Sequence, residues 1–127
     1  MKARAQDPAR PRRGRRAWES GHMAERVAAL FLICKGYRIL ARRFRTPVGE
    51  IDIIARRGRV VAYVEVKHRP DAATALGAVS DTARRRIIRA AEWYGARLRD
   101  PDLVQRFDVV AVRPWRLPLH MENAWTA

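Results

Sequence analysis

Cysteine is almost missing from this chain: Cys34 is the only one in 127 residues, so no internal disulfide framework can hold it together. A lone thiol also points to a reducing compartment, which makes the cytoplasm the expected location. Long apolar runs are lacking too. The longest, Val27 to Cys34, falls far short of the ~18 residues that would suggest a membrane span. Acid is scarce, with 13 Asp plus Glu against 27 Lys plus Arg, a formal net charge of +14. Lysine is scarcer still, at positions 2, 35 and 67 alone. What is present is a 48% hydrophobic fraction, enough for one core and one domain and too much for a fully disordered chain. The surplus of positive charge predicts a polyanionic partner, nucleic acid first and an anionic membrane surface second.

The charge is unevenly placed. Lys2, Arg4, Arg10, Arg12, Arg13, Arg15 and Arg16 face a single early acid, Asp7, so residues 1–16 carry +6 of the +14. With Pro8, Pro11 and Gly14 and no apolar periodicity, residues 1–17 read as a disordered basic arm and residues 18–127 as the domain. A secretory leader does not fit. Glu25 and Arg26 abut the apolar stretch, and Lys35-Gly36-Tyr37 follows where small residues should form a cleavage site.

From about Trp18 to Lys35 the spacing predicts a helix, with Val27, Leu30, Phe31 and Cys34 on one side and Ala28, Ala29 and Leu32 on another. Apolar nearly all round, it should be buried, with Cys34 in the core. Gly36 ends it. Tyr37 to Arg45 reads as an edge strand and Thr46-Pro47-Val48-Gly49 as a turn. Glu50–Arg56 and Arg59–His68 then form a hairpin about Arg57-Gly58. Residues 70–80 read as a loop. Ser80 or Asp81 can cap a helix to about Arg99, with Ile87, Ala90, Ala91, Tyr94 and Leu98 facing inward. Arg106 to Arg113 is a further strand, and the remaining segment shows no periodicity. No repeat is present. Helix, strands, helix, strand makes one α/β domain.

The chemistry concentrates in Gly49-Glu50-Ile51-Asp52-Ile53-Ile54-Ala55 and Val64-Glu65-Val66-Lys67. Alternation puts Glu50 and Asp52 on one face of the first strand, and Tyr63, Glu65 and Lys67 on one face of the second. With a two-residue turn at Arg57-Gly58, Glu50 lies opposite Glu65, and Asp52 lies opposite Tyr63 and diagonal to Glu65. Opposed carboxylates destabilise a sheet unless something compensates. Lys67 compensates in part and a divalent cation more fully, since Mg²⁺ is typically held by one or two carboxylates, waters and substrate phosphate oxygens. In a chain that otherwise uses arginine, a lysine at 67 supplies a compact charge suited to steadying an attacking hydroxide. The plain alternative is a solvated charge ladder on a half-exposed sheet.

An acid on one hairpin strand followed by Glu-x-Lys on the next resembles the PD-(D/E)xK nuclease superfamily, which includes restriction enzymes and archaeal Holliday junction resolvases. The chain more closely resembles the YraN-like bacterial family, similar in fold to those resolvases. The likeness runs through Gly21, Glu25, Gly36-Tyr37, Gly49-Glu50-Ile51-Asp52, Val64-Glu65-Val66-Lys67, the arginine-rich helix, Arg106-Phe107-Asp108-Val109-Val110 and His120-Met121-Glu122-Asn123-Ala124-Trp125. It implies a restriction-endonuclease-like domain, a central mixed β-sheet flanked by helices.

It also implies Asp52, Glu65 and the Val66 carbonyl as ligands of Mg²⁺ or Mn²⁺, and Lys67 orienting water. Glu25 would stand by as an auxiliary acid, and Glu50 at the strand mouth. Two features depart from the pattern. Ile51 stands where the superfamily has proline before the acid, and Ala83-Arg84 where many relatives carry Lys-Gln. Arg84, Arg85, Arg86 and Arg89 of the second helix, with Arg43 of the edge strand, are the expected phosphate contacts. The same arginine run also suits an ordinary solvated helix face. Asp108 is expected to hold a structural partner such as an arginine, and His120 a loop or core role. The expectation is therefore a metal-dependent nuclease acting on branched or structured DNA. Analogy to resolvases on two-fold junctions adds a homodimer. The alternative is a nucleic-acid-binding module that keeps the fold without chemistry.

Overall fold

The structure, a computed structural model, describes residues 22–127 of the chain. The expected basic arm and the expected start of the first helix lie outside the described residues. Helix α1 is His22–Cys34, followed by strands β1 Arg38–Thr46, β2 Gly49–Arg57 and β3 Val60–His68. Helices α2 Ala72–Gly77 and α3 Asp81–Gly95 come next, then strands β4 Val104–Val112 and β5 Leu119–Trp125. The strands form one mixed sheet in the order β1-β2-β3-β4-β5. Only β3 and β4 run parallel; their crossover carries α2 and α3, as a parallel connection requires. This is a single α/β layer architecture, a central mixed sheet between helices.

Two buried clusters cover the two faces. On one, α1 contributes Ala24, Ala28, Ala29 and Leu32 against Ile53, Ala55, Ala62, Val64, Val66, Val110 and Val112. On the other, Ala75 of α2 and Ile87, Ala90 and Ala91 of α3 pack on Ile51, Ile54, Val61, Tyr63, Phe107 and Val109. Each large aliphatic side chain fully buried here is worth roughly 1.5–3 kcal/mol relative to exposure. Helix α3 starts where expected: the Ser80 hydroxyl accepts from the Ala83 N–H at 3.1 Å.

Several expectations need correction. Helix α1 is not buried all round: its small residues face the sheet, while Leu30 is 63% and Ile33 52% exposed. Cys34 is exposed and not a core residue. Alanines let the helix approach the sheet closely, which turns the larger apolar positions outward. Residues 72–77 form a short helix where a loop was expected, capped by Asp71, whose carboxylate accepts from the Thr74 N–H at 2.7 Å. Helix α3 ends at Gly95, before Leu98. The segment without periodicity contains β5, an edge strand paired on one side only.

The hairpin register is shifted by two residues from the expected one. Its loop is Gly58-Arg59, and the ladder runs from Arg57↔Val60 to Ile53↔Val64. Gly58 has φ 61°, the left-handed conformation that two-residue hairpin loops require and glycine supplies without strain. A two-residue slip leaves every side chain on its face but changes its neighbour. Asp52 is therefore brought abreast of Glu65, not Tyr63.

Candidate active site

The β2–β3 ladder stops at Ile53↔Val64, and a side chain makes the next link. The Val66 N–H donates to Asp52 Oδ2 at 2.8 Å. The cause is a rotation of β2 at Asp52. Ile51 and Ile53 are two apart, and strict alternation would place them on one face. Instead Ile53 belongs to the α1 side and Ile51 to the α2–α3 side. On the neighbouring strand Arg42 pairs with Ile53 and Phe44 with Ile51, so Arg43 lies abreast of Asp52. Arg43 has φ 51°, in the left-handed region uncommon for a residue with a side chain. Both strands are distorted at the same step, and the Asp52 carboxylate is turned toward β3.

There it lies beside Glu65, close enough for each acid to shift the other, and Lys67 Nζ lies 3.4 Å from Glu65 Oε2. The Glu65 side chain is 14% exposed and that of Lys67 26%. Burial first, and then the Asp52 charge, push the Glu65 carboxyl up to about 8, against the pull of Lys67. Burial raises Asp52 as well, opposed by the Val66 N–H. Partial burial and mutual repulsion therefore disfavour the doubly charged pair, and Lys67 offsets only part of that cost.

The other expected site residues fall in three places. Glu25, on α1, is 5% exposed. Its oxygens are taken by arginines: Arg42 donates through Nε at 3.2 Å and Nη2 at 3.0 Å to Oε1, and Arg43 Nε donates to Oε2 at 3.3 Å. Glu50 is not brought to the acid pair. It faces β1, where Arg45 Nε donates to its Oε2 at 2.7 Å in an exposed ion pair. Along α3, Arg85, Arg86 and Arg89 are exposed. Arg84 is turned down onto the Trp125 ring, 5.3 Å from its centroid, with Nη2 3.4 Å from the Leu76 carbonyl. At Val66 the contact in the structure is its N–H on Asp52.

Sequence reasoning overlooked Arg42, whose only signal was the basic content of an edge strand. It also left unconnected a buried network on β4 and β5. Asp108, 0% exposed, accepts from Arg106 Nε and Nη2 at 2.8 Å each, from His120 Nε2 at 2.8 Å and from the Asn123 N–H at 2.9 Å. Arg106 also donates to the Tyr37 hydroxyl at 2.7 Å, and Lys35 Nζ lies 2.6 Å from His120 Nδ1. A lysine ammonium has donors only, so Nδ1 accepts from it and Nε2 carries the proton given to Asp108. Arg106 is the structural arginine expected for Asp108, and His120 is a core residue.

Among the described residues no three His, Cys, Asp or Glu side chains gather as a metal cage. Asp52 and Glu65 still suit a cation that keeps waters and substrate oxygens as ligands. Such an ion needs one or two carboxylates, and a bound cation would relieve the repulsion that raises both carboxyls.

A family model described as "Uncharacterised protein family UPF0102" matches residues 24–112. A UPF0102 protein of Chelativorans sp. (strain BNC1) is 54% identical over 115 residues, covering 88% of this chain and 91% of that protein. One from Sinorhizobium fredii is 54% identical over 111 residues, covering 87% and 91%. One from Mesorhizobium japonicum is 51% identical over 111 residues, covering 87% and 89%. The match takes in α1 through β4, and with them Glu25, Asp52, Glu65 and Lys67: the chain belongs to the UPF0102 family.

Proposed function

We propose that this protein is a metal-dependent endonuclease of the restriction-endonuclease-like superfamily, hydrolysing phosphodiester bonds in branched or otherwise structured DNA. The observation that carries the reading is the Asp52–Glu65–Lys67 group, two half-buried acids on adjoining strands with an ammonium against one of them. The residue facing Asp52 on β1, Arg43, has φ 51°, and backbone outliers of this kind cluster at functional sites.

Asp52 and Glu65 would hold Mg²⁺ or Mn²⁺. When bound, the ion would polarise the scissile phosphate and lower the pKa of a water. The Val66 N–H keeps Asp52 oriented, so its carboxylate needs no reorganisation. Lys67 orients the nucleophile and meets negative charge growing on the phosphate. The exposed arginines of α3 supply backbone contacts with little sequence preference.

The test is cleavage of duplex, flap and four-way-junction DNA in Mg²⁺ or Mn²⁺ by wild type and Asp52→Ala. Loss of activity in the variant is expected, and equal activity in both proteins refutes the reading. Binding without cleavage would identify a nucleic-acid-binding module on the same fold. Melting with and without the ion separates the two: a rise in wild type that Glu65→Gln abolishes marks a cation site.

A further inference from the structure

We propose that Arg42 and Arg43 form a clamp for a backbone phosphate of a nucleic-acid strand beside the Asp52–Glu65 pair, with Glu25 as the buried carboxylate that orders both guanidiniums. The proposal rests on the phosphodiester-directed reading of that pair. Neighbours on a regular strand point to opposite sides of the sheet. Arg42 and Arg43 are neighbours, yet both reach Glu25. The left-handed backbone at Arg43, φ 51°, is what brings the second guanidinium round. One arginine would neutralise one glutamate. Two leave the cluster with a net positive charge, which repels a cation and favours an anion.

The exposures divide accordingly. The Glu25 side chain is 6% exposed, those of Arg42 and Arg43 45% and 37%. The acid is therefore an anchor, and the guanidiniums are the surface. Arg42 keeps three of its five N–H donors and Arg43 four, enough for each to bind a phosphate oxygen. Arg43 lies abreast of Asp52, so a phosphate gripped there is adjacent to the acid pair. A preordered guanidinium loses little freedom on binding, which is the benefit of fixing it on a buried carboxylate.

The test is duplex binding in EDTA, where no cleavage occurs, followed by fluorescence anisotropy against NaCl concentration. Wild type is compared with Arg43→Gly, Arg42→Gln and Arg43→Lys, each checked for a cooperative melt. Arg43→Gly also releases the strained backbone, so it keeps the fold accessible; Arg42→Gln serves if it does not. Each lost phosphate contact lowers the slope of log K on log salt by about 0.9, an affinity loss of about eightfold at ~0.1 M salt. Arg43→Gly and Arg42→Gln should each show this loss, and Arg43→Lys should retain the wild-type slope. Unchanged slopes in folded Arg43→Gly and Arg42→Gln, or no duplex binding by wild type, overturn the clamp. The two readings fail separately. A slope change with no cleavage by wild type keeps the clamp and discards the nuclease, and cleavage with unchanged slopes does the reverse.

Discussion

Asp108→Asn is the substitution for which the structure allows the fullest forecast. The carboxylate is 0% exposed and receives four N–H donors, two from Arg106, one from His120 and one from the Asn123 backbone. An amide has one oxygen, so its NH₂ must point at donors that previously met an acceptor. The Arg106 side chain, 15% exposed, also loses its buried counter-charge. Removing one partner of a buried pair costs about 3–5 kcal/mol, against a typical total stability of about 5–15 kcal/mol. With a urea dependence of about 2 kcal/mol per molar, the unfolding midpoint should fall by roughly 1.5–2.5 M. Equilibrium urea unfolding followed by far-UV circular dichroism measures it. A fall below about 0.5 M at unchanged slope would refute the account, since that is the scale of an exposed pair. Acid provides a second readout. Burial alone would raise the Asp108 pKa, but the bonds from His120, Arg106 and the Asn123 N–H hold it below 3.8. A depressed carboxyl stabilises the fold above its unfolded value and loses that contribution as pH falls through its folded value. Wild type should lose this increment on acidification, and Asp108→Asn should not.

The acid pair predicts the opposite slope. With Glu65 raised from 4.5 to about 8, its contribution to stability is complete below the unfolded value and lost as pH rises through the folded one. In cation-free buffer, wild-type melting should decline between those values, while Glu65→Gln, a neutral mimic of the protonated acid, follows a flatter curve; parallel curves would refute the raised Glu65 carboxyl. Gly49→Ala tests the seat of the β1–β2 hairpin on α3. A Cβ there would stand 2.4 Å from the Arg86 carbonyl oxygen, so overpacking of about 1–3 kcal/mol is expected in denaturant unfolding, and a neutral result would show that the hairpin yields freely.

Much of this protein can be read directly from its residue order. Local patterns depend on neighbours in sequence, and they suffice for the α1 helix, the β2–β3 hairpin, the Ser80 cap and the α/β class. Short valine-rich apolar runs along 60–68 and 106–112 mark strands, because β-branched side chains suit a pleated sheet covered on both faces. Asp52, Glu65 and Lys67 are also visible, since acids inside apolar strands demand a partner wherever the strands end up. The hairpin register was not legible, because Arg57-Gly58 and Gly58-Arg59 are both acceptable loops. Both keep every side chain on its face, so alternation cannot choose between them; the folded ladder takes the second, and so places Asp52 beside Glu65. The face of α1 was decided the same way: its sequence is apolar all round, and only the sheet selects alanines over Leu30 and Ile33. The Glu25–Arg42–Arg43 cluster and the Asp108–His120–Lys35 network join residues from separate elements. Sequence decides what each short segment prefers. The energy that chooses among those preferences comes from contacts between segments, and these exist only once the chain is folded.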